Sequence, residues 1–237
     1  KRPNTYHIIL GNFAGMVLDD VINSPHFSLN DTIRKNFREK AIEYASCGEF
    51  SPETFKKDAT AQARNIRQTT SALFGIYDRS KVLLEPSFVC EMLGVHGRVD
   101  MMTSDRRMLV EQKSGRNRYI ELGRQNGSGG KYLEKHYVQL LLYYGVLKYN
   151  FGLDGQDIEV MLLYSKYPMP EGLIRTRHLE AELREAIAFR NLVVAQEHAM
   201  TSDGFASAID RLTPETLNVN GMSGFFYDRY LLPQLQE

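Results

Sequence analysis

The run Gly97-Arg98-Val99-Asp100 is followed, after ten residues, by Glu111-Gln112-Lys113, so two carboxylates and an ammonium fall in short β-rich stretches. Strand side chains alternate between faces, so Glu111 and Lys113 point one way and Gln112 the other. If residues 95–103 and 108–113 form a hairpin, Asp100 comes near Glu111 at one end of a sheet. Mg²⁺ and Mn²⁺ take hard oxygen ligands of this kind, completed by water, a backbone carbonyl and substrate phosphate. A cation held there polarises a phosphodiester and makes bound water more acidic. Lys113 would orient that water or stabilise charge growing on the phosphorane. The competing reading of the spacing is a surface salt bridge across strands. Three features favour chemistry. Gly94 and Gly97 flank the Asp strand, a sign of close backbone approach. The apolar run Met108-Leu109-Val110 puts Glu111 where a buried strand emerges. A basic segment follows directly.

That segment, Arg106 to Lys135, holds eight Lys/Arg against three acids, whereas the chain as a whole has net charge zero. It reads as either a local anion site or a solvated loop, with Arg116, Arg118 and Lys135 as phosphate contacts in the first case. A second constellation lies on a helix predicted over 131–149. His136, Gln139 and Tyr143 share a face at offsets of three and seven, with Tyr132 one turn earlier. Val138, Leu140, Leu141, Leu142 and Val146 supply its apolar positions. A polar stripe on so apolar a helix needs partners, either water or phosphate and base edges.

The elements that must position these residues follow from periodicity. Helices are expected over 6–23, 31–44 (capped by Asn30 or Asp31) and from Ser51-Pro52 to Phe74. Gly11 and Gly15 share a face of the first. Short antiparallel strands are expected at 82–84, 87–93, 95–103 and 108–113. A polar loop over 115–130 leads into the 131–149 helix, then come a buried strand at 158–165, a charged helix at 179–200 and helical pieces to the end. The loop's Gly127-Ser128-Gly129-Gly130-Lys131-Tyr132 lacks the Gly-Lys-Ser/Thr of a nucleotide-binding loop, so it reads as a flexible connection able to gate entry to the site. The order implies one α/β domain over 1–237 with a mixed central sheet flanked by helices: a helical part to about 78, a catalytic sheet and helix over 79–165, and C-terminal helices from about 175. No apolar run reaches the ~20 residues of a membrane helix, and no membrane partner is expected. The start resembles no signal peptide and lacks Met, consistent with a fragment of a larger protein. Two cysteines, Cys47 and Cys90, cannot form a four-cysteine cage and read as buried thiols in a reducing, cytoplasmic setting.

Together, Gly-Arg-Val-Asp (97–100), Glu-Gln-Lys-Ser-Gly (111–115) and Gln-Leu-Leu-Leu-Tyr (139–143) resemble the RecB-type branch of the PD-(D/E)XK nucleases. The likeness is strongest to nuclease domains of replication helicase–nucleases that trim Okazaki flaps and to CRISPR-adaptation nucleases. Leu84-Glu85-Pro86, Glu134-Lys135-His136, Leu163-Tyr164-Ser165 and Arg190-Asn191 resemble further runs of that subfamily, so the likeness covers roughly residues 8–195. It implies a restriction-endonuclease-like core. It also implies metal (Mg²⁺ or Mn²⁺) on Asp100, Glu111 and the Gln112 carbonyl, a catalytic Lys113, and Gln139 and Tyr143 positioning the site. Arg116, Arg118, Lys135, His136 and Tyr132 are the candidate DNA contacts, and Glu85 is a weaker site candidate. Single-stranded DNA is the implied substrate and a helicase domain or subunit the implied partner. The chain departs from the pattern where many members carry a His ligand four residues after a Gly on the first helix: here that position is Gly15. Asp19, one turn on, is the candidate replacement, and Asp20 is less well placed. Nor does it carry the four cysteines of members with an iron–sulfur cluster. Two rivals stay open: a degenerate nuclease serving as a DNA-binding module, and a structural α/β protein whose acids are ion pairs.

Overall fold

The computed structural model describes residues 4–153, 157–210 and 227–235. Contacts gather the chain into two compact units, Lys1–Leu183 and Arg184–Glu237, where the sequence reads as one domain. Each is described by itself.

The first unit opens with three helices, α1 (Tyr6–Asn23), α2 (Leu29–Ala45) and α3 (Pro52–Phe74). The α3 start is as expected, with Ser51 accepting from Thr54 N–H and Pro52 in the first turn. The α2 cap is Ser28, not Asn30 or Asp31: its hydroxyl accepts from Asp31 N–H, so the helix starts earlier. The strands follow as β1 (Val82–Leu84), β2 (Ser87–Cys90), β3 (Val95–Arg98), β4 (Met101–Thr103) and β5 (Met108–Lys113). A short helix α4 (Arg118–Glu121), the long α5 (Glu134–Phe151), β6 (Glu159–Tyr164) and β7 (Leu173–Arg175) complete it.

The five-stranded sheet has the order β1-β4-β5-β6-β7. All its pairs are antiparallel except β5–β6. The fold is thus α/β with a mixed central sheet flanked by helices. The parallel pair exists because α5 carries the chain from one end of the sheet back to the other. Both β5 and β6 are covered on two faces, which is why they read as nearly continuous apolar runs. On one side Met108, Val110, Met161 and Leu163 join Phe13, Val17 and Leu18 of α1 and Phe55, Ala63 and Ile66 of α3 in a single core. On the other, α5 buries Leu140, Leu141, Val146 and Leu147.

The stretch 95–103 is not one strand. It breaks at Val99–Asp100, and the upstream half pairs with β2 in a separate two-stranded sheet. Glu85, in the left-handed region at φ 49°, makes the matching turn on the partner side. Likewise α5 begins at Glu134 rather than Lys131 and ends on the left-handed Gly152.

The second unit contains the helix α6 from Arg184 on (α6 spans Glu180–Asp203), then α7 (Phe205–Asp210) after a left-handed Gly204, and a last helical turn, α8 (Leu232–Leu235). The helical pieces expected over 211–226 lie outside the described residues. No helix among the described residues is long and apolar enough to cross a membrane. Cys47 and Cys90 are buried free thiols.

Candidate active site

The break between β3 and β4 creates the site. In the β4–β5 ladder Met101 faces Val110, so Asp100 falls opposite Glu111 and Val99 would fall opposite Gln112. Val99 instead turns its N–H to the carbonyl of Pro86. The Gln112 N–H left without that partner is taken by the Asp100 carboxylate, Oδ2 to N 2.7 Å. N–H and C=O of one strand residue point to the same side, so the Gln112 carbonyl also faces the Asp100 side.

Alternation along β5 does the rest. Glu111 and Lys113 lie on the α5 face, with Lys113 Nζ 2.9 Å from Glu111 Oε1. Gln112 points to the opposite face and donates to the Ala14 carbonyl of α1 and to Ser165 Oγ, each at 3.2 Å. From α5, the Gln139 amide meets both charged groups. Its Oε1 accepts from Lys113 Nζ at 2.9 Å, and its Nε2 donates to Glu111 Oε1 at 2.8 Å. The same Nε2 lies 2.8 Å from the Tyr143 hydroxyl, which donates to the Arg98 carbonyl at 2.8 Å and sits 3.4 Å from Glu111 Oε2. Three segments far apart in the chain therefore share one hydrogen-bonded cluster. Glu111 is only 5% exposed, and an ammonium, an amide and a phenol lie against its carboxylate in place of water.

Burial, then the neighbouring charge of Glu111, pushes the Asp100 carboxyl up to about 6, against the Gln112 N–H and Lys113. Two carboxylates held this close repel when both ionise. That repulsion, with a strand carbonyl on the same side, is the donor set a hard divalent cation satisfies, so the residues fit Mg²⁺ or Mn²⁺. The fit is of two carboxylates and a carbonyl. Among the described residues no group of three His, Cys, Asp or Glu side chains is gathered to hold a metal. Asp19 is raised to about 6 by burial first and then by the charges of Glu85 and Asp20. It is therefore near Glu85 electrostatically, but it does not join Asp100 and Glu111 in a metal-holding group. Glu85 itself is ion-paired with Arg98 at 3.3 Å, while its N–H holds the Asp100 carbonyl at 3.0 Å.

A cleft of about 590 Å³ opens in front of Asp100, lined by Lys113, Lys135 and His136 on one side and by Gly11 and Gly15 of α1 on the other. A Cβ at Gly11 would come within 3.3 Å of Ser114 Oγ, whereas one at Gly15 would meet nothing within 4 Å. Gly11 thus permits close approach, and Gly15 leaves open space.

The candidate DNA contacts fare unequally. Lys135 and His136 line the cleft, and so does Arg116. The Arg116 guanidinium, however, forms a two-pronged pair with Glu121, at 3.1 and 2.8 Å. Arg118 lies over the Tyr119 ring. Tyr132 does not share the stripe. It precedes α5, is 5% exposed and stacks on Tyr137 with ring centroids 4.5 Å apart, so its ring is closed to a base. Its place is set by two asparagines that spacing alone did not single out. Asn117 donates to the Lys131 carbonyl and Asn126 to that of Tyr132, at 2.7 and 2.8 Å. Asn126 Oδ1 also accepts from Ser128 and Gly130 N–H, so the glycine-rich stretch expected to be a loose connection is wrapped around one buried side chain. An Asn leading a Gly-Ser-Gly-Gly run was the available signal for such a turn. His96 stands opposite Val89 in the small sheet and does not line the cleft.

No protein-family model, curated protein or solved structure matches this chain.

Proposed function

We propose that the chain is a metal-dependent DNA nuclease of the RecB-type PD-(D/E)XK kind, acting on single-stranded ends or flaps. The observation that carries the reading is the Gln139 amide bonded to both Lys113 and Glu111. It ties the Gln-x-x-x-Tyr helix to the Glu-x-Lys strand, with Asp100 opposite Glu111 just ahead of β4.

Asp100, Glu111 and the Gln112 carbonyl would hold the cation. When bound, it supplies polarisation of the phosphate and a more acidic water. The chain's own groups do the rest. Gln139 and Glu111 fix the Lys113 ammonium at the cleft, where it would orient the attacking water or stabilise charge developing on the phosphoryl oxygens. Water oxygen bonds to phosphorus, the P–O bond of the leaving oxygen breaks, the water proton passes to solvent and the leaving oxygen takes a proton from solvent. Tyr143, whose hydroxyl proton is held more tightly than usual by burial and by Glu111, stays neutral and buttresses Gln139.

The second reading, a DNA-binding module without cleavage, has one observation in its favour. No third metal-ligating side chain joins Asp100 and Glu111 among the described residues. Incubation with 5′- and 3′-labelled single strands in Mn²⁺, against an EDTA control, separates the two. Metal-dependent shortening supports the enzyme, and binding without shortening supports the module.

A further inference from the structure

The Tyr164 hydroxyl, at the end of β6, is fully buried and lies 2.9 Å from His136 Nδ1. It accepts from the Leu133 N–H at 3.1 Å and also faces the Asn117 amide. The Leu133 N–H can only donate to that oxygen, so the phenol proton has His136 Nδ1 as its acceptor. Burial keeps that proton on the phenol, which is raised to about 12. An imidazole that accepts at Nδ1 carries its own proton on Nε2. Among the described residues none hydrogen-bonds that second nitrogen, and the ring lines the cleft with Lys113 and Lys135. Lys135 is exposed and has no acidic partner within ion-pair distance among the described residues. Burial, and then the Lys113 and Lys135 ammonium groups, depress His136 to about 4, so at neutral pH it is an uncharged donor.

We propose that Tyr164 locks His136 as an Nε2–H donor, which with Lys135 forms a subsite for a phosphodiester phosphate beside the Asp100–Glu111–Lys113 cluster. The subsite rests on the nuclease reading for its substrate, but not for its geometry. Tyr164 is a positioning residue, acting through the imidazole. A neutral donor beside an ammonium suits one phosphate oxygen each. It also avoids a third positive charge next to the catalytic lysine.

Nitrogen-15 NMR of the histidine side chains in the full chain, without nucleic acid at neutral pH, tests the lock. The signal missing in His136→Gln should be an Nε2–H tautomer in the wild type and a tautomer mixture in Tyr164→Phe. An Nδ1–H tautomer in the wild type overturns the lock. Binding of a single-stranded oligonucleotide in EDTA tests the subsite. His136→Ala should bind roughly tenfold more weakly, as for loss of a hydrogen bond to a charged group, and His136→Gln, which keeps an N–H donor, should recover part of it. Wild-type affinity in His136→Ala overturns the subsite even if the chain cleaves DNA. A wild type that binds the strand, weakens on His136→Ala and never cleaves in Mn²⁺ sinks the nuclease reading and leaves the subsite standing. A wild type that binds no strand in EDTA overturns the subsite, and one that also never cleaves in Mn²⁺ sinks both.

Discussion

The Asp100 carboxylate stands in for a strand carbonyl, accepting the Gln112 backbone N–H at 2.7 Å where Val99 would otherwise pair. One acidic residue thereby closes the ladder and faces Glu111. That double duty makes it the point where stability and activity oppose each other.

Asp100 is raised from 3.8 to about 6 in the folded chain. The folded state therefore binds more protons than the unfolded one between those values, and stability falls as pH rises through this window. Asp100→Asn keeps an oxygen for Gln112 and removes the charge. It should stabilise the metal-free chain by about 2 kcal/mol at pH 7, after discounting for partial exposure. The gain should vanish below about pH 3, where wild-type Asp100 is protonated in both states. Mn²⁺ should raise the wild-type melting temperature and leave that of Asp100→Asn unmoved. Equal melting curves for the two proteins at pH 7 would refute the burial and repulsion assigned to Asp100.

Lys113 and Gln139 should behave as one unit. Lys113→Ala should lower kcat by roughly 10²-fold with little change in DNA affinity, as expected for a group acting in the transition state. Gln139→Ala should do the same to a smaller degree, with a melting temperature within a few degrees of wild type. The double variant should be little worse than Lys113→Ala alone, because Gln139 acts by holding the ammonium. Additive losses in the double-mutant cycle would show that Gln139 works independently.

At Gly15 the two sides of the cleft can be told apart. Alanine meets nothing within 4 Å, so Gly15→Ala should raise stability by about 0.5–1 kcal/mol through helix propensity and leave cleavage intact. Gly15→Phe should fold equally well and cut oligonucleotide affinity severalfold by filling the opening. An unaffected Gly15→Phe protein would place the DNA path elsewhere.

Arg116 and Lys135, both on the cleft wall, should not be equivalent. Arg116 is already neutralised by Glu121, whose carboxyl is held down at about 2 by that guanidinium and by the Tyr167 hydroxyl. Lys135→Ala should therefore weaken DNA binding more than Arg116→Ala, and only the former should flatten the salt dependence. Affinity titrations at several salt concentrations read both effects.

Much of this was legible in the residues. Strand alternation put Glu111 and Lys113 together and sent Gln112 away, and the offsets on α5 put Gln139 beside Tyr143. Those periods are local, so they survive any tertiary arrangement. The break at Val99–Asp100 was not legible, because nothing local distinguishes a continuous strand from one that changes partner. It depends on Pro86, thirteen residues upstream, offering a carbonyl. Tyr132 was misplaced for the same reason. Its position answers to Asn117 and Asn126, whose reach to the 131–132 backbone no helical period encodes. The neutralisation of Arg116 by Glu121 was likewise hidden in a loop read only for its net charge.

The most direct measurement is cleavage of an end-labelled single-stranded DNA by the wild-type chain and by Asp100→Ala and Glu111→Ala, each with Mn²⁺ and with EDTA. The predicted result is shortening by the wild type in Mn²⁺ alone, with both variants folded and at least ~10²-fold slower. Cleavage that persists in EDTA, or that either variant carries out at the wild-type rate, contradicts the assignment of Asp100 and Glu111 as the metal-holding pair.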